Sequence, residues 1–186
     1  GWEYNNSLGL PLVVKPASNG SSIGLSIVDM AQDVKGAVES AFAFDQRVIL
    51  ERYIPSRELT VGVLDEEALP VIEIIPKKRF FDYEAKYQAG MTEYMVPAQI
   101  DGALSRKLQS AAIKAHGSLG CFGCSRVDIL LDGEERPFVL ELNSIPGFTP
   151  TSLLPKSAGV AGIDFPELCV RLIKLAYERA QVGVPH

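Results

Sequence analysis

The chain is poor in the residues that staple or metallate small proteins: among 186 residues there are three cysteines, two histidines and one tryptophan. Three cysteines cannot all pair with one another, and Cys121 with Cys124, in "GCFGC", is the only close pair. A zinc site there would need two further ligands, and only Cys169, His116 and the terminal His186 remain to supply them. The cysteines therefore read as reduced and structural. Basic runs of the kind that follow a phosphate backbone are also missing. Eighteen Lys+Arg stand against 23 Asp+Glu, a formal net charge of −5, which argues against nucleic acid as a partner. No apolar stretch approaches the ~20 residues that span a bilayer. The opening "GWEYNNS" has neither the basic start nor the apolar centre of a signal peptide. A cytoplasmic protein with no membrane partner is expected. Two nucleotide-loop patterns are absent too, since neither G-x-x-x-x-G-K-[ST] nor G-x-G-x-x-G occurs.

What is present suits a packed core: 47% of the residues are hydrophobic, enough for one or two small domains. "PLVVK" at 11–15 reads as a strand, the Gly- and Ser-rich "ASNGSSIG" as a loop, and "LSIV" as the returning strand of a hairpin. Residues 30–44 place Val34, Val38, Ala41 and Phe42 at helical spacing. "RVILE" and "ELTVGVL" read as strands around the turn "RYIPSR", and "LPVIEII" as another. The stretch from Pro76 to Pro97 then reads as irregular, and loops of that length are usually functional or disordered. A helix is predicted over 103–119, with Leu104, Leu108, Ala111, Ala112, Ala115 and Leu119 on one face and Gly120 to end it. "SRVDILL" and "FVLELN" follow as strands joined by the turn "DGEERP", and a last helix starts after Asp164. The order of elements is that of an α+β protein.

Alternation along a strand puts Arg126 and Asp128 on one face, and Glu141 and Asn143 on one face with Leu140 and Leu142 opposite. If the two strands pair as antiparallel neighbours, Asp128, Glu141 and Asn143 converge on one patch of oxygens. Hard cations such as magnesium are held by one or two carboxylates with phosphate oxygens, so a metal and nucleotide site is one reading. A solvated polar sheet face is the other, and spacing alone does not separate them. The loop "KPASNGSSIG" could lay backbone N–H groups on phosphate beside the Lys15 cation, although ordinary hairpin tips look similar.

Taken together, Lys15 with "SNGSSIG", then "ERYIPSRELTV", "FFDYEAKY", "SRVDILL" and "ELNSIPGFTPTSLLP", resemble in order and spacing the D-alanine:D-alanine ligases, members of the ATP-grasp superfamily. The resemblance runs from about Gly9 to Tyr177, and its last motif is the most specific. It implies an ATP-grasp fold of two small subdomains, antiparallel sheets with packed helices, and an ATP site between them. The subdomains are expected at 1–58, incomplete and carrying the phosphate-covering loop, and at 59–186, carrying the metal and substrate site.

The roles implied are as follows. Lys15 and Lys86 would contact ATP phosphate, and the Ser21–Ser22 loop would close over the reacting groups. Glu51 and the backbone through Ile54 would meet the adenine, Tyr53 and Phe80 would wall it, Leu140 would also bind the cofactor, and Glu58 would hold the ribose. Asp128, Glu141 and Asn143 would hold two magnesium ions, for which manganese can substitute. Arg126 and the N–H of Gly147 would stabilise an oxyanion, and Tyr87 would lie beside the amino-acid pocket. Ser152 and Leu153 would receive the carboxylate of the second D-alanine. The implied reaction joins two D-alanines through an acyl phosphate, for peptidoglycan precursors, and the full-length parent could be a homodimer.

The resemblance also has an edge. Family members carry an amino-terminal domain for the first D-alanine and a strand with another phosphate-contacting lysine, and neither is found in the chain. A chain opening on Gly reads as a piece of a larger protein, inactive by itself. Two rivals stand beside this reading: another ATP-grasp ligase joining a different acid and amine, and a nucleotide-binding module without catalysis.

Overall fold

The computed structural model describes residues 7–20, 22–76 and 92–182. They form two compact units, divided at Pro55–Ser56, with the second unit running from Ser56 to Ile75 and resuming at Tyr94. The expected division was at residue 58.

In the first unit a three-stranded antiparallel sheet has the order β2-β1-β3, with β1 at Leu12–Pro16, β2 at Ser26–Val28 and β3 at Val48–Arg52. Strand alternation sends Leu12 and Val14 to one face, where Val34, Val38 and Ala41 of helix α1 (Val34–Phe42) complete a buried cluster. Burying a Leu or Val side chain contributes about 1.5–3 kcal/mol, so this small cluster is what sets the face of β1. Phe42, expected on the buried side, is 50% exposed, because it falls one residue past the 34/38/41 stripe. The β1–β2 loop is tied down by its flanks. The Asp45 carboxylate accepts from the N–H of Ser18 (2.6 Å) and of Arg47 (3.2 Å). Gly24 has φ +73 and leaves no room for a side chain, since a Cβ there would lie 2.6 Å from the Phe44 ring and 2.9 Å from Pro16.

The second unit is built on a sheet of order β7-β6-β4-β8-β9, with β5 (Glu67–Ala68) paired to β4. Here β4 is Ser56–Leu64, β6 Ile72–Pro76, β7 Thr92–Met95, β8 Cys124–Asp132 and β9 Pro137–Asn143. One face is apolar: Leu59, Val61, Val63, Val127, Ile129 and Leu131 pack under Leu104, Leu108 and Ala112 of helix α2 (Gly102–Ser118). The N-cap of α2 is Asp101, whose carboxylate accepts from the N–H of Ala103 (2.7 Å) and Leu104 (2.8 Å). Near its other end, buried His116 meets buried Ser125 through Nδ1 and Oγ at 2.7 Å, fixing the helix to the start of β8. On the opposite face, Leu64 and Leu69 pack with helix α3 (Leu153–Val160) and the start of helix α4 (Phe165–Val182) through Leu154, Ala158 and Leu168.

Four readings change. The segment read as irregular contains a strand, β7. Helix α3 was not expected, because Pro155 and Gly159 look like breakers although Pro155 lies in the first turn, where no intrahelical N–H is needed. "RVILE" and "ELTVGVL" enter different sheets, β3 pairing with β1 and β4 with β6 and β8. Leu119 is 69% exposed, beyond the end of α2.

Candidate functional site

The face of the larger sheet opposite α2 carries the polar residues in register. Thr60 on β4 pairs with Asp128 on β8, and Asp128 pairs with Glu141 on β9. In the next row Gly62 pairs with Arg126, and Arg126 with Asn143. Direct partners point to the same side, so Asp128, Glu141, Asn143 and Arg126 share one patch. Its second row abuts α3, because a Cβ on Gly62 would lie 2.7 Å from Leu154 Cδ1.

Regular alternation stops at a bulge. Asp128 opposes Glu141 while Ile129 opposes Val139, which leaves Leu140 as the extra residue. Phe138, opposite Leu130, therefore joins the face of Asp128, and Val139 leaves it. Leu140, expected simply on the far face from Glu141, is the bulged residue and is 46% exposed.

The hydrogen bonds within the patch centre on Asp128. Arg126 forks onto it, Nε to Oδ1 at 2.9 Å and Nη2 to Oδ2 at 2.7 Å, and Thr60 Oγ1 donates to Oδ1 at 2.6 Å. The Asn143 amide nitrogen lies 3.4 Å from both Asp128 Oδ2 and Glu141 Oε1. Burial of Arg126 works against its charge, yet the Asp128 hydrogen bond and the charges of Asp128, Glu141 and Tyr94 together raise its pKa above the ordinary value. Burial raises the Tyr94 pKa too, with the nearby Arg126 opposing it.

Would these residues suit a divalent cation? Among the described residues no group of three or more His, Cys, Asp or Glu could hold a metal ion. The patch offers two carboxylates and one amide, whose NH2 faces the carboxylates here and whose oxygen would face a cation after rotation of the amide. That number leaves coordination positions for phosphate oxygens and water, as magnesium prefers, so the residues fit. Two carboxylates directly opposite each other repel, and here Arg126 and the Asn143 NH2 supply the compensating positive field.

After β9 the chain turns at Pro146–Gly147 and returns on itself. The Thr149 N–H donates to Ser152 Oγ (3.1 Å), the Thr149 and Ser152 hydroxyls lie 2.8 Å apart, and a Cβ on Gly147 would be 3.1 Å from Ser152 Oγ. Ser152 is the N-cap residue of α3, its own N–H donating to Thr149 O at 2.9 Å, and Leu153, the first helical residue, places its N–H at the positive end of the helix.

In the first unit Lys15 Nζ lies 2.9 Å from Glu51 Oε2, on the sheet face away from Leu12 and Val14. These two residues were expected at different parts of a nucleotide, and here each is the other's partner. Ser22 adopts φ 59 in the β1–β2 loop. The Tyr53 N–H donates to Pro11 O at 3.1 Å, and Ile54 follows, half-buried. In the second unit Glu58 is half-buried on the Thr60 face of β4, opposite Leu130. Ser21, Phe80, Lys86 and Tyr87 lie outside the described residues. Cys121, Cys124 and Cys169 are free thiols, and burial raises the Cys124 pKa.

Three residues near the patch had no sequence signal of their own. Thr60 is a β-branched residue in a strand pattern, as expected of core. Tyr94 lay in the segment read as irregular. Lys156, whose Nζ sits 4.9 Å from the Tyr94 ring centre, lay on the unrecognised helix α3.

Two antiparallel sheets with packed helices, one sheet carrying carboxylates and a guanidinium on its open face, make this an α+β protein of the ATP-grasp fold. The chain belongs to the D-ala D-ala ligase C-terminus family, whose model matches residues 2–174. It is 44% identical over 176 residues to a D-alanine–D-alanine ligase of Synechococcus sp., covering 94% of this chain and 54% of that protein. A second such ligase, from Nitrosomonas europaea, is 44% identical over 171 residues, covering 92% of this chain and 56% of the relative. The chain thus spans about half the length of the curated relatives it matches. Among solved structures, D-alanine–D-alanine ligase from Bacillus anthracis superposes with a TM-score of 0.83 at 36% identity, over 96% of this chain and 58% of that one. The VanG D-Ala:D-Ser ligase from Enterococcus faecalis gives 0.82 at 35%, over 91% and 50%. The Bacillus anthracis enzyme has also been solved in complex with ATP, with a TM-score of 0.80 to this chain over 96% of it and 57% of that one, at 35% identity.

Proposed function

We propose that this chain is the carboxy-terminal portion of a D-alanine:D-alanine ligase, and that the whole protein joins two D-alanines at the expense of ATP. The observation that carries this reading is the cross-strand patch of Arg126, Asp128, Glu141 and Asn143, in a chain of this family. A carboxylate is a poor electrophile. In the proposed reaction an oxygen of the first D-alanine carboxylate attacks the γ-phosphorus of ATP and ADP leaves, giving an acyl phosphate. The amine of the second D-alanine then attacks the acyl carbon, phosphate leaves, and the nitrogen loses its proton.

Asp128, Glu141 and Asn143 would hold magnesium, which supplies charge neutralisation on the phosphate oxygens. Arg126 and the Gly147 N–H would stabilise the charge that next gathers on the carbonyl oxygen. Ser152 and Leu153 would take the second substrate's carboxylate at the N-terminus of α3. Lys15 would bind phosphate after exchanging its Glu51 partner, Glu51 and Ile54 would bind adenine, and Glu58 the ribose. Tyr53, Phe80 and Leu140 would border the nucleotide, Lys86 would reach phosphate, Ser21 and Ser22 would close over the reacting groups, and Tyr87 would lie beside the amino-acid pocket. Manganese can stand in for magnesium. We place the reaction in the cytoplasm, where ATP is, and its product in peptidoglycan precursors. The whole protein as a homodimer is part of the same proposal.

The test is ADP formation by the full-length protein with ATP, magnesium and D-alanine, alongside detection of the dipeptide. D-alanine-dependent turnover is expected. The similarity to a D-Ala:D-Ser ligase favours a second reading of the acceptor, so D-serine belongs in the same assay. Turnover only when D-serine is added as acceptor would support that second reading, and nucleotide binding without turnover would leave a binding module. The chain alone is expected to bind magnesium nucleotide weakly and to form no dipeptide, because it spans about half the length of the relatives it matches and positioning two reactants can be worth ~7–11 kcal/mol.

A further inference from the structure

Thr60 is 1% exposed, in the middle of β4 between β6 and β8. Valine has nearly the same shape and is what this strand uses at Val61 and Val63, so the hydroxyl at Thr60 calls for a reason. Its single proton has two acceptors in reach, Val127 O at 3.3 Å and Asp128 Oδ1 at 2.6 Å, and the shorter distance identifies Asp128 as the partner. The other side-chain donors to Asp128 are Arg126 through Nε and Nη2, and more distantly the Asn143 amide. Both have work elsewhere on the reading above, Arg126 on the substrate oxyanion and Asn143 on the cation. When they turn to it, Thr60 is the donor that stays. It cannot follow them, because a β-branched side chain in a strand has restricted χ1 and its strand is paired on both sides.

We infer that Thr60 is a positioning residue: its hydroxyl pins Asp128 Oδ1, so that the carboxylate keeps its orientation on the patch, where it would help Glu141 and Asn143 to hold a divalent cation. This rests on the metal reading of the patch. A cation-binding carboxylate held by a hydrogen bond pays less to become ordered, and losing such a partner typically costs 10–100-fold in metal affinity.

The experiment measures ADP affinity calorimetrically in saturating magnesium and again in EDTA, taking the ratio as the magnesium enhancement. Thr60→Val is expected to cut that enhancement by about tenfold while leaving the EDTA affinity unchanged, and Thr60→Ser to restore it. A merely structural Thr60 would lower the melting temperature without moving the ratio. If Thr60→Val keeps the wild-type enhancement while Glu141→Gln loses it, the inference falls and the metal reading stands. If Thr60→Ser loses as much as Thr60→Val, methyl packing is responsible and the inference again falls. An enhancement absent from the wild type, or untouched by Glu141→Gln, overturns both. Should Thr60→Val fail to fold, Thr60→Ala carries the same comparison with Thr60→Ser.

Discussion

Asp128 and Glu141 stand directly opposite each other across β8 and β9, two carboxylates on one sheet face with Arg126 beside them. Like charges opposed in this way cost stability in the absence of a cation.

Glu141→Gln is therefore expected to leave the melting temperature unchanged or slightly higher, within the ±0.5 kcal/mol usual for an exposed position. The same substitution should weaken nucleotide binding in magnesium by at least ~10-fold, since it removes a metal-binding carboxylate. Calorimetry with magnesium and ADP beside a melting curve checks both halves. Unchanged affinity would remove Glu141 from the metal site.

For Arg126→Ala the expected loss is ~10²–10³-fold in kcat of the full-length protein, with a smaller change in KM for ATP, as for other oxyanion donors. A folding cost accompanies it, because Asp128 is left with Thr60 and a distant amide as donors, and uncompensated part-buried charges destabilise. Steady-state kinetics and urea unfolding separate the two. Normal kcat at reduced stability would make Arg126 structural.

Asp101 gives a pH prediction. The Leu104 N–H, then the Ala103 N–H, hold its carboxyl below the ordinary range in the folded protein. A depressed folded pKa means the cap's contribution is present above the unfolded value, about 3.9, and is lost as pH falls through the folded one. The urea midpoint of Asp101→Ala should lie below wild type at pH ~7, and the gap should narrow as pH falls below the unfolded value. Parallel curves at all pH values would refute the linkage.

Gly62→Ala should destabilise by about 1–3 kcal/mol through overpacking, because the added methyl meets Leu154 at 2.7 Å and Leu69 at 3.0 Å. A companion Leu154→Val change that makes room should recover part of the loss. Chemical denaturation of the single and double variants provides the cycle.

Much of the patch could be read from the sequence because strands announce themselves by alternation. "SRVDILL" and "FVLELN" flank a turn signal, so their pairing, and with it the meeting of Asp128 with Glu141, needed no tertiary knowledge. The bulge did need it: nothing in "PFVLELN" distinguishes Leu140 as the extra residue, and that choice decides whether Phe138 or Val139 shares the site face. Thr60 was invisible for a similar reason. Its partner lies 68 positions away, so its hydroxyl acquires a purpose only once β4 and β8 are in register. The Lys15–Glu51 pair likewise depends on a diagonal across β1 and β3. Helix α3 was hidden by Pro155, a residue that breaks helices everywhere except in their first turn.

Strand β9 is also the last in its sheet among the described residues, and Phe138, Val139 and Leu140 are 39%, 46% and 46% exposed there. An open edge with three adjoining apolar side chains would ordinarily be a template on which other chains stack and precipitate. Two features oppose that here: Pro137 removes a donor at the strand's start, and the extra residue at Leu140 interrupts the ladder that an incoming strand would have to match. The irregularity that shapes the candidate site thus also guards solubility, and straightening β9 by deleting Leu140 would expose the protein to aggregation at concentrations the wild type tolerates.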